Sequence, residues 1–274
     1  VQTLLGDPKK VIIKLAIPMI IAMSITTVYN LADAIWVSGL GSDALAAVGF
    51  VFPFFFMALA IANGLGIGGG AAISRRIGAN DKEGADNVAV HTLVIMLIIS
   101  ILFTILFFVF APDILSVIGA GKTLAMATVY ARIMAIGTIA IFFSFIANAI
   151  LRAEGDVNRA MYALALGAVL NIVLDPIFIY TFDLGVAGAA WATLFSMSVS
   201  SLLLFYWLFL KKNTYLSFHF RGFHFNKSAI KDIFKVSFPA SVMQLSMSIT
   251  MLIMNIIILK VGIINGAENP QDGV

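Results

Sequence analysis

The chain has 274 residues, 61% of them hydrophobic and 11% charged, with a mean hydropathy of +1.03. Soluble domains carry about 25% charged residues, so the composition excludes a water-soluble globular protein and indicates an integral membrane protein. The net charge of +3 is small, with no nucleic-acid partner expected, and the absence of Cys excludes disulfides, thiolate metal sites and a Cys nucleophile.

Crossing about 30 Å of hydrocarbon takes about 20 apolar residues in a helix. Runs of that length fall at about 11–38, 44–72, 88–111, 124–151, 160–181, 186–210 and 229–261. They are too long and continuous for barrel strands, so they predict seven helices. In the first, Pro18 cannot donate to the carbonyl of Lys14, which permits a bend there. The second carries Phe52, Phe54, Phe55 and Met57, an apolar surface suited to holding substrate, and then Gly64, Gly66, Gly68, Gly69 and Gly70, a smooth face for close helix packing.

Fourteen of the seventeen Lys and Arg fall on one side: Lys9, Lys10, Lys14, Arg75, Arg76, Lys82, Arg152, Arg159, Lys211, Lys212, Arg221, Lys227, Lys231 and Lys235. The positive-inside rule then places the N-terminus in the cytoplasm of a multi-pass protein in the cell membrane. The other side has Lys122 and Lys260, with Arg132 near the start of the fourth helix. Between helices six and seven, KKNTYLSFHFRGFHFNKSAIK interleaves aromatic and basic residues and is expected to lie on anionic membrane lipid. His91, His219 and His224 read as lone interfacial histidines.

Two carboxylates break the apolar runs, Asp33 and Asp175. A carboxylate at membrane depth costs ~2.5 kcal/mol or more, which makes each a functional-site residue by default. Thr26, Tyr29 and Asn30 lie seven, four and three residues before Asp33, on its helical face. Asn171 lies one turn before Asp175, and Thr193 on the sixth helix comes out at a similar depth at about 1.5 Å per residue. No Lys or Arg accompanies the carboxylates except Arg132 and Lys260 near helix ends. Each Asp either pairs with Arg132, caps a neighbouring backbone, or takes a proton or a cation. The oxygens of Asp33, Asp175, Asn171 and Thr193 suit Na⁺ as well as H⁺.

Lys10-Val-Ile-Ile-Lys14-Leu-Ala-Ile-Pro18 recurs 221 residues later as Lys231-Asp-Ile-Phe-Lys235-Val-Ser-Phe-Pro239. Six helices separate the two starts, so the copies run parallel, the plan of transporters built from two six-helix halves. The second copy has no carboxylate near Met254 and Asn255, and after Gly262 the chain reads IINGAENPQDGV. The expected organisation is a six-helix lobe over 1–210, an interfacial linker over 211–230, the first helix of a C-terminal lobe over 231–262 and an irregular tail over 263–274. The fold class is thus an all-α polytopic membrane protein, one transporter lobe plus the first helix of a parallel second repeat, from a parent of about 12 helices.

GDPKKVIIKLAIPMIIAMSITTVYNLADAIWVSGLGSDALAAVG, ILRAEGDVNRAMYALALGAVLNIVLDPIFIY and GVAGAAWAT resemble the multidrug and toxic compound extrusion (MATE) transporters, in particular an archaeal member of their prokaryotic DinF-like branch. The resemblance covers about 5–262. It implies a 12-helix exporter with two six-helix lobes around a central cavity, exchanging cationic or amphipathic drugs for Na⁺ or H⁺. It also implies that Asp33, Asp175, Asn171, Tyr29 and Thr193 form the cation or proton site and that helix 1 bends at Pro18. The chain departs from the family in ending after helix 7.

The resulting expectation is a secondary drug antiporter and not an enzyme, needing no cofactor beyond its coupling ion and completed by the rest of the C-terminal lobe. A lipid-linked sugar flippase of the same plan would want more basic residues inside the membrane. An intramembrane enzyme with paired carboxylates would want a metal or nucleophile.

Overall fold

A computed structural model describes residues 8–211, 214–218 and 225–264. Seven helices in it are long and apolar enough to cross a membrane: α1 (Pro8–Ser38), α2 (Ser42–Gly78), α3 (Lys82–Val117), α4 (Leu124–Ala153), α5 (Val157–Pro176), α6 (Gly185–Phe205) and α7 (Lys227–Ile264). They alternate in direction, so α1, α3, α5 and α7 all start at one end of the bundle, the N-terminal end. Three of these starts are capped by polar side chains that satisfy otherwise orphaned N–H groups. Asp81 accepts from Gly84 N at 2.9 Å, Asp156 from Arg159 N at 3.2 Å and Asn226 from Ser228 N at 2.9 Å.

The seven spans match the apolar runs in number and order, with most ends extended by a few residues. The tail expected over 263–274 begins as the last turn of α7, and from 265 onward it lies outside the described residues. α5 passes from Pro176 directly into a π-helical turn, Ile177–Thr181.

The packing order runs α1, α5, α6, α4, α2, α7, with α3 lying against α4 and α2. α4 is the most buried helix and forms the core. α1 and α7 are the least buried; α1 packs mainly on α5, and α7 mainly on α2.

The glycine run of α2 serves three neighbours at once. Gly66 and Gly70 face Ala149 of α4, Gly69 faces Thr92 of α3, and Gly64 and Gly68 face Ser241 and Ser237 of α7. Polar contacts continue the α2–α7 seam along its length. Arg76 Nη2 pairs with Asp232 at 3.1 Å, and Asn63 Nδ2 donates to Gln244 at 3.1 Å. Ser248 Oγ donates to the Pro53 carbonyl, and Asn255 Nδ2 to the Gly49 carbonyl at 3.1 Å. Pro53 has no N–H for Gly49, so Asn255 supplies the donor that α2 lacks.

The chain between α6 and α7 is held by the bundle where it is described. Leu216 is 3% exposed. The N–H groups of Tyr215 and Leu216 donate to Glu154 at 3.3 and 3.0 Å, and that of Ser217 donates to Asp86 at 2.9 Å. His91 Nδ1 faces the Asn87 carbonyl at 2.8 Å while its Nε2 accepts from Asn226 N at 2.8 Å, so this histidine anchors the start of α7. Residues 212–213 and 219–224, with His219 and His224, lie outside the described residues.

A Cβ at Gly64 would stand 2.8 Å from Ser241 N, and one at Gly68 2.7 Å from Ser237 N. Gly64→Ala or Gly68→Ala should therefore lower stability by about 1–3 kcal/mol in detergent melting. Gly78→Ala, with nothing within 4 Å, should leave it unchanged.

Burial pushes the Glu154 carboxyl above its ordinary value of 4.5, against the pull of its two N–H donors. The folded chain then holds that proton more tightly than the unfolded one. The contribution to stability is full at low pH and is lost as pH rises through the raised value. Melting profiles from acid to neutral pH should be flatter for Glu154→Gln than for the wild type.

Candidate functional site

The α5-facing stripe of α1 comprises Pro18, Ala22, Ile25, Tyr29, Asp33, Trp36 and Val37, all buried or half-buried. This helical spacing, mostly in steps of three and four, brings Asp33 and Tyr29 onto α5 together. Thr26 and Asn30 lie one residue off the stripe and are exposed; Thr26 Oγ1 bonds back to the Ala22 carbonyl at 2.9 Å. Within this chain α5 covers Asp33 and Tyr29 but not Thr26 or Asn30, because a face drawn back from Asp33 is wider than the stripe α5 meets.

Asp175 and Asn171, one turn apart on α5, are fully buried. Asn171 Nδ2 donates both to Asp175 Oδ1 and to Thr193 Oγ1, each at 3.1 Å, which joins α5 to α6. The Asp33 carboxyl lies beside Asp175, and the Tyr29 hydroxyl beside Thr193. Asp33, Tyr29, Asn171, Asp175 and Thr193 thus form one cluster across three helices. Asp33 Oδ1, Asp175 Oδ2 and Asn171 Oδ1 are buried with no hydrogen-bond donor.

Arg132 does not neutralise the pair. Its Nε donates to the Phe108 carbonyl at 3.2 Å, and the guanidinium lies over the Phe108 ring. Pro112 deprives that carbonyl of its helix donor, so Arg132 mends the backbone of α3. Among the described residues, no basic side chain bears on either carboxyl. Two carboxyls in mutual reach, with unshared oxygens and no cation beside them, can hold a proton between them or bind a hard cation through oxygen. Among the described residues there is no group of three or more His, Cys, Asp or Glu that could hold a metal.

Tyr130 of α4 closes the fourth side of the cluster, buried and within electrostatic reach of Asp33, Asp175 and Tyr29. Sequence reasoning missed it, because a sequence does not show which residues of α4 face α1 and α5. Its depth, about two turns into α4, was the available signal.

Phe54 and Phe55 line an apolar cavity of about 20 Å³ between α2, α3 and α4, with Phe103, Phe107 and Met134. Phe52 and Met57 are half-buried outside its lining.

The fold and this cluster define a polytopic, all-α membrane protein with a buried carboxyl pair at the junction of an edge helix and its lobe. The chain belongs to the MatE family, whose sequence profile matches residues 18–177. It is 32% identical over 250 residues to the multidrug export protein MepA of Staphylococcus saprophyticus, covering 90% of this chain and 55% of that protein. A MATE solved in a straight conformation matches with a TM-score of 0.89 at 51% identity, over 98% of this chain and 60% of that one. A MATE solved in a bent conformation matches with 0.86 at 52% identity, over the same shares. The chain thus spans little more than half the length of these relatives.

Thr193→Val removes an acceptor from Asn171 and should lower stability by about 1 kcal/mol, the net worth of one buried hydrogen bond. Thermal melting should show the loss, and Thr193→Ser should recover most of it.

Proposed function

We propose that this chain forms the first lobe and the following helix of a secondary multidrug exporter. The complete protein would exchange cationic or amphipathic compounds for H⁺ or Na⁺ across the cell membrane. The observation that carries the reading is the pairing of Asp33 with Asp175, two buried carboxyls from different helices with no basic partner. The relatives named as multidrug export proteins and as MATE structures support the same assignment.

Protons or Na⁺ taken up by the pair couple the lobe to an ion gradient. Loading draws α1 toward α5 and α6, because both acids, Tyr29, Asn171 and Thr193 then share one charge-balanced cluster. Unloading leaves two like charges in reach of each other, and the lightly packed α1 moves to separate them. Pro18 supplies the point of bending, in keeping with the straight and bent conformations of solved relatives. The basic residues place the N-terminal end in the cytoplasm. Residues 1–210 act as the lobe, 211–230 as its cytoplasmic linker and 231–262 as the first helix of the second lobe. Phe52, Phe54, Phe55 and Met57 contribute apolar surface to drug binding.

The test is drug efflux by the full-length protein under imposed H⁺ or Na⁺ gradients, with Asp33→Asn and Asp175→Asn made separately. Each substitution is expected to abolish gradient-driven export of a fluorescent cation and the dependence of melting temperature on pH or Na⁺. Wild-type efflux by both variants sinks the proposal. The ion that raises the wild-type melting temperature identifies the coupling species.

A further inference from the structure

Val37 and Trp36 seat the end of α1 against the core, and beyond Asp33 one cross-helix hydrogen bond is added to that packing. Tyr180, in the π-helical turn after Pro176, donates its hydroxyl to the Trp36 carbonyl at 2.6 Å. That carbonyl has lost its chain donor, since Leu40 N turns to Val37 O at 3.0 Å. The Tyr180 ring stands edge-on to Trp36, with centroids 6.2 Å apart. Gly39 makes room: a Cβ there would occupy the position of the Tyr180 hydroxyl. The contact lies about one turn past the carboxyl pair on both helices, Asp33 to Trp36 and Asp175 to Tyr180.

We propose that the Tyr180 hydroxyl, seated over Gly39 on the Trp36 carbonyl, is a latch that holds the end of α1 against α5 and positions Asp33 opposite Asp175. The inference rests on the reading above that α1 moves relative to α5. α1 packs mainly on α5, so the latch must open, together with the seat of Val37, before its outer turns can swing away. Tyr180 is 44% exposed. The π-helical geometry sets its direction. In a continuous α-helix from Pro176 each residue would be turned by about 100° per step; the wider π turn displaces Tyr180 from that path, toward the α1 terminus. Tyr180 is therefore a positioning residue for the ion site and touches neither the ion nor the drug.

The experiment uses the full-length protein, spin-labelled at Ile35 of α1 and Val117 of α3, both exposed and at the same end of the bundle. Double electron–electron resonance reads the populations of attached and detached α1 across a pH series. Tyr180→Phe should shift the population about five-fold toward the detached state, the effect of one net hydrogen bond, and move the pH midpoint of the switch. Gly39→Ala keeps the hydroxyl but displaces it, and should produce the same shift. Pro18→Ala reports on the bend itself. If Pro18→Ala alters the distances while both latch variants match the wild type, the latch is wrong and the moving helix stands. If no variant and no pH alters them, α1 does not move and the coupling reading falls with the latch. A lower melting temperature with unchanged populations makes Tyr180 merely structural and also overturns the proposal.

Discussion

A backbone carbonyl that loses its helix donor inside hydrocarbon must find another, because lipid offers none. That constraint decides much of this bundle. Pro53 frees Gly49, and Asn255 crosses from α7 to donate to it. Pro112 frees Phe108, and Arg132 crosses from α4 to do the same. The first repair binds α7 to α2. The second commits the arginine nearest the carboxyl pair to a different helix, and so keeps Asp33 and Asp175 without a cation. The carboxyl pair is left without a fixed counter-charge because that arginine is engaged elsewhere.

The two edge helices are held in opposite ways. α7 is joined to α2 by glycine–serine approaches and by a series of polar contacts from Asp232 to Asn255. α1 has α5 as its main neighbour, a polar cluster in the middle of the contact and a tyrosine at its end. A helix packed through interlocked backbones resists sliding, since any shift brings side chains into atoms already in contact. A helix held through one stripe and a few hydrogen bonds can leave and return. The carboxyl pair lies at the second kind of contact.

Hydropathy alone located all seven helices, because a span must be long and apolar whatever it packs against. Asp33 and Asp175 stood out for the converse reason, the expense of a carboxylate at that depth. Lateral order was hidden. Thr26 and Asn30 occupy the right face in projection but miss the narrower stripe α5 covers. Tyr130 and Tyr180 carried no sign in the sequence of the contacts they make, which depend on the neighbours of α4 and α5. Arg132 was a credible partner for the aspartates until Pro112 gave it another. The linker's aromatic and basic residues suggested lipid, while Tyr215, Leu216 and Ser217 donate their N–H groups to carboxylates of the bundle.

Asn255 has a consequence for biogenesis. While the chain emerges in order, α2 enters the bilayer with the Gly49 acceptor open and its Gly64–Gly68 face uncovered, and α3 to α6 do not close them. Closure waits for α7, delivered by a linker already fastened at Glu154, Asp86 and His91, which shortens the search for its seat. The smallest piece that can sit in lipid with α2 satisfied is therefore seven helices and not six. The polar contacts of α2 are complete only once α7 has inserted beside it.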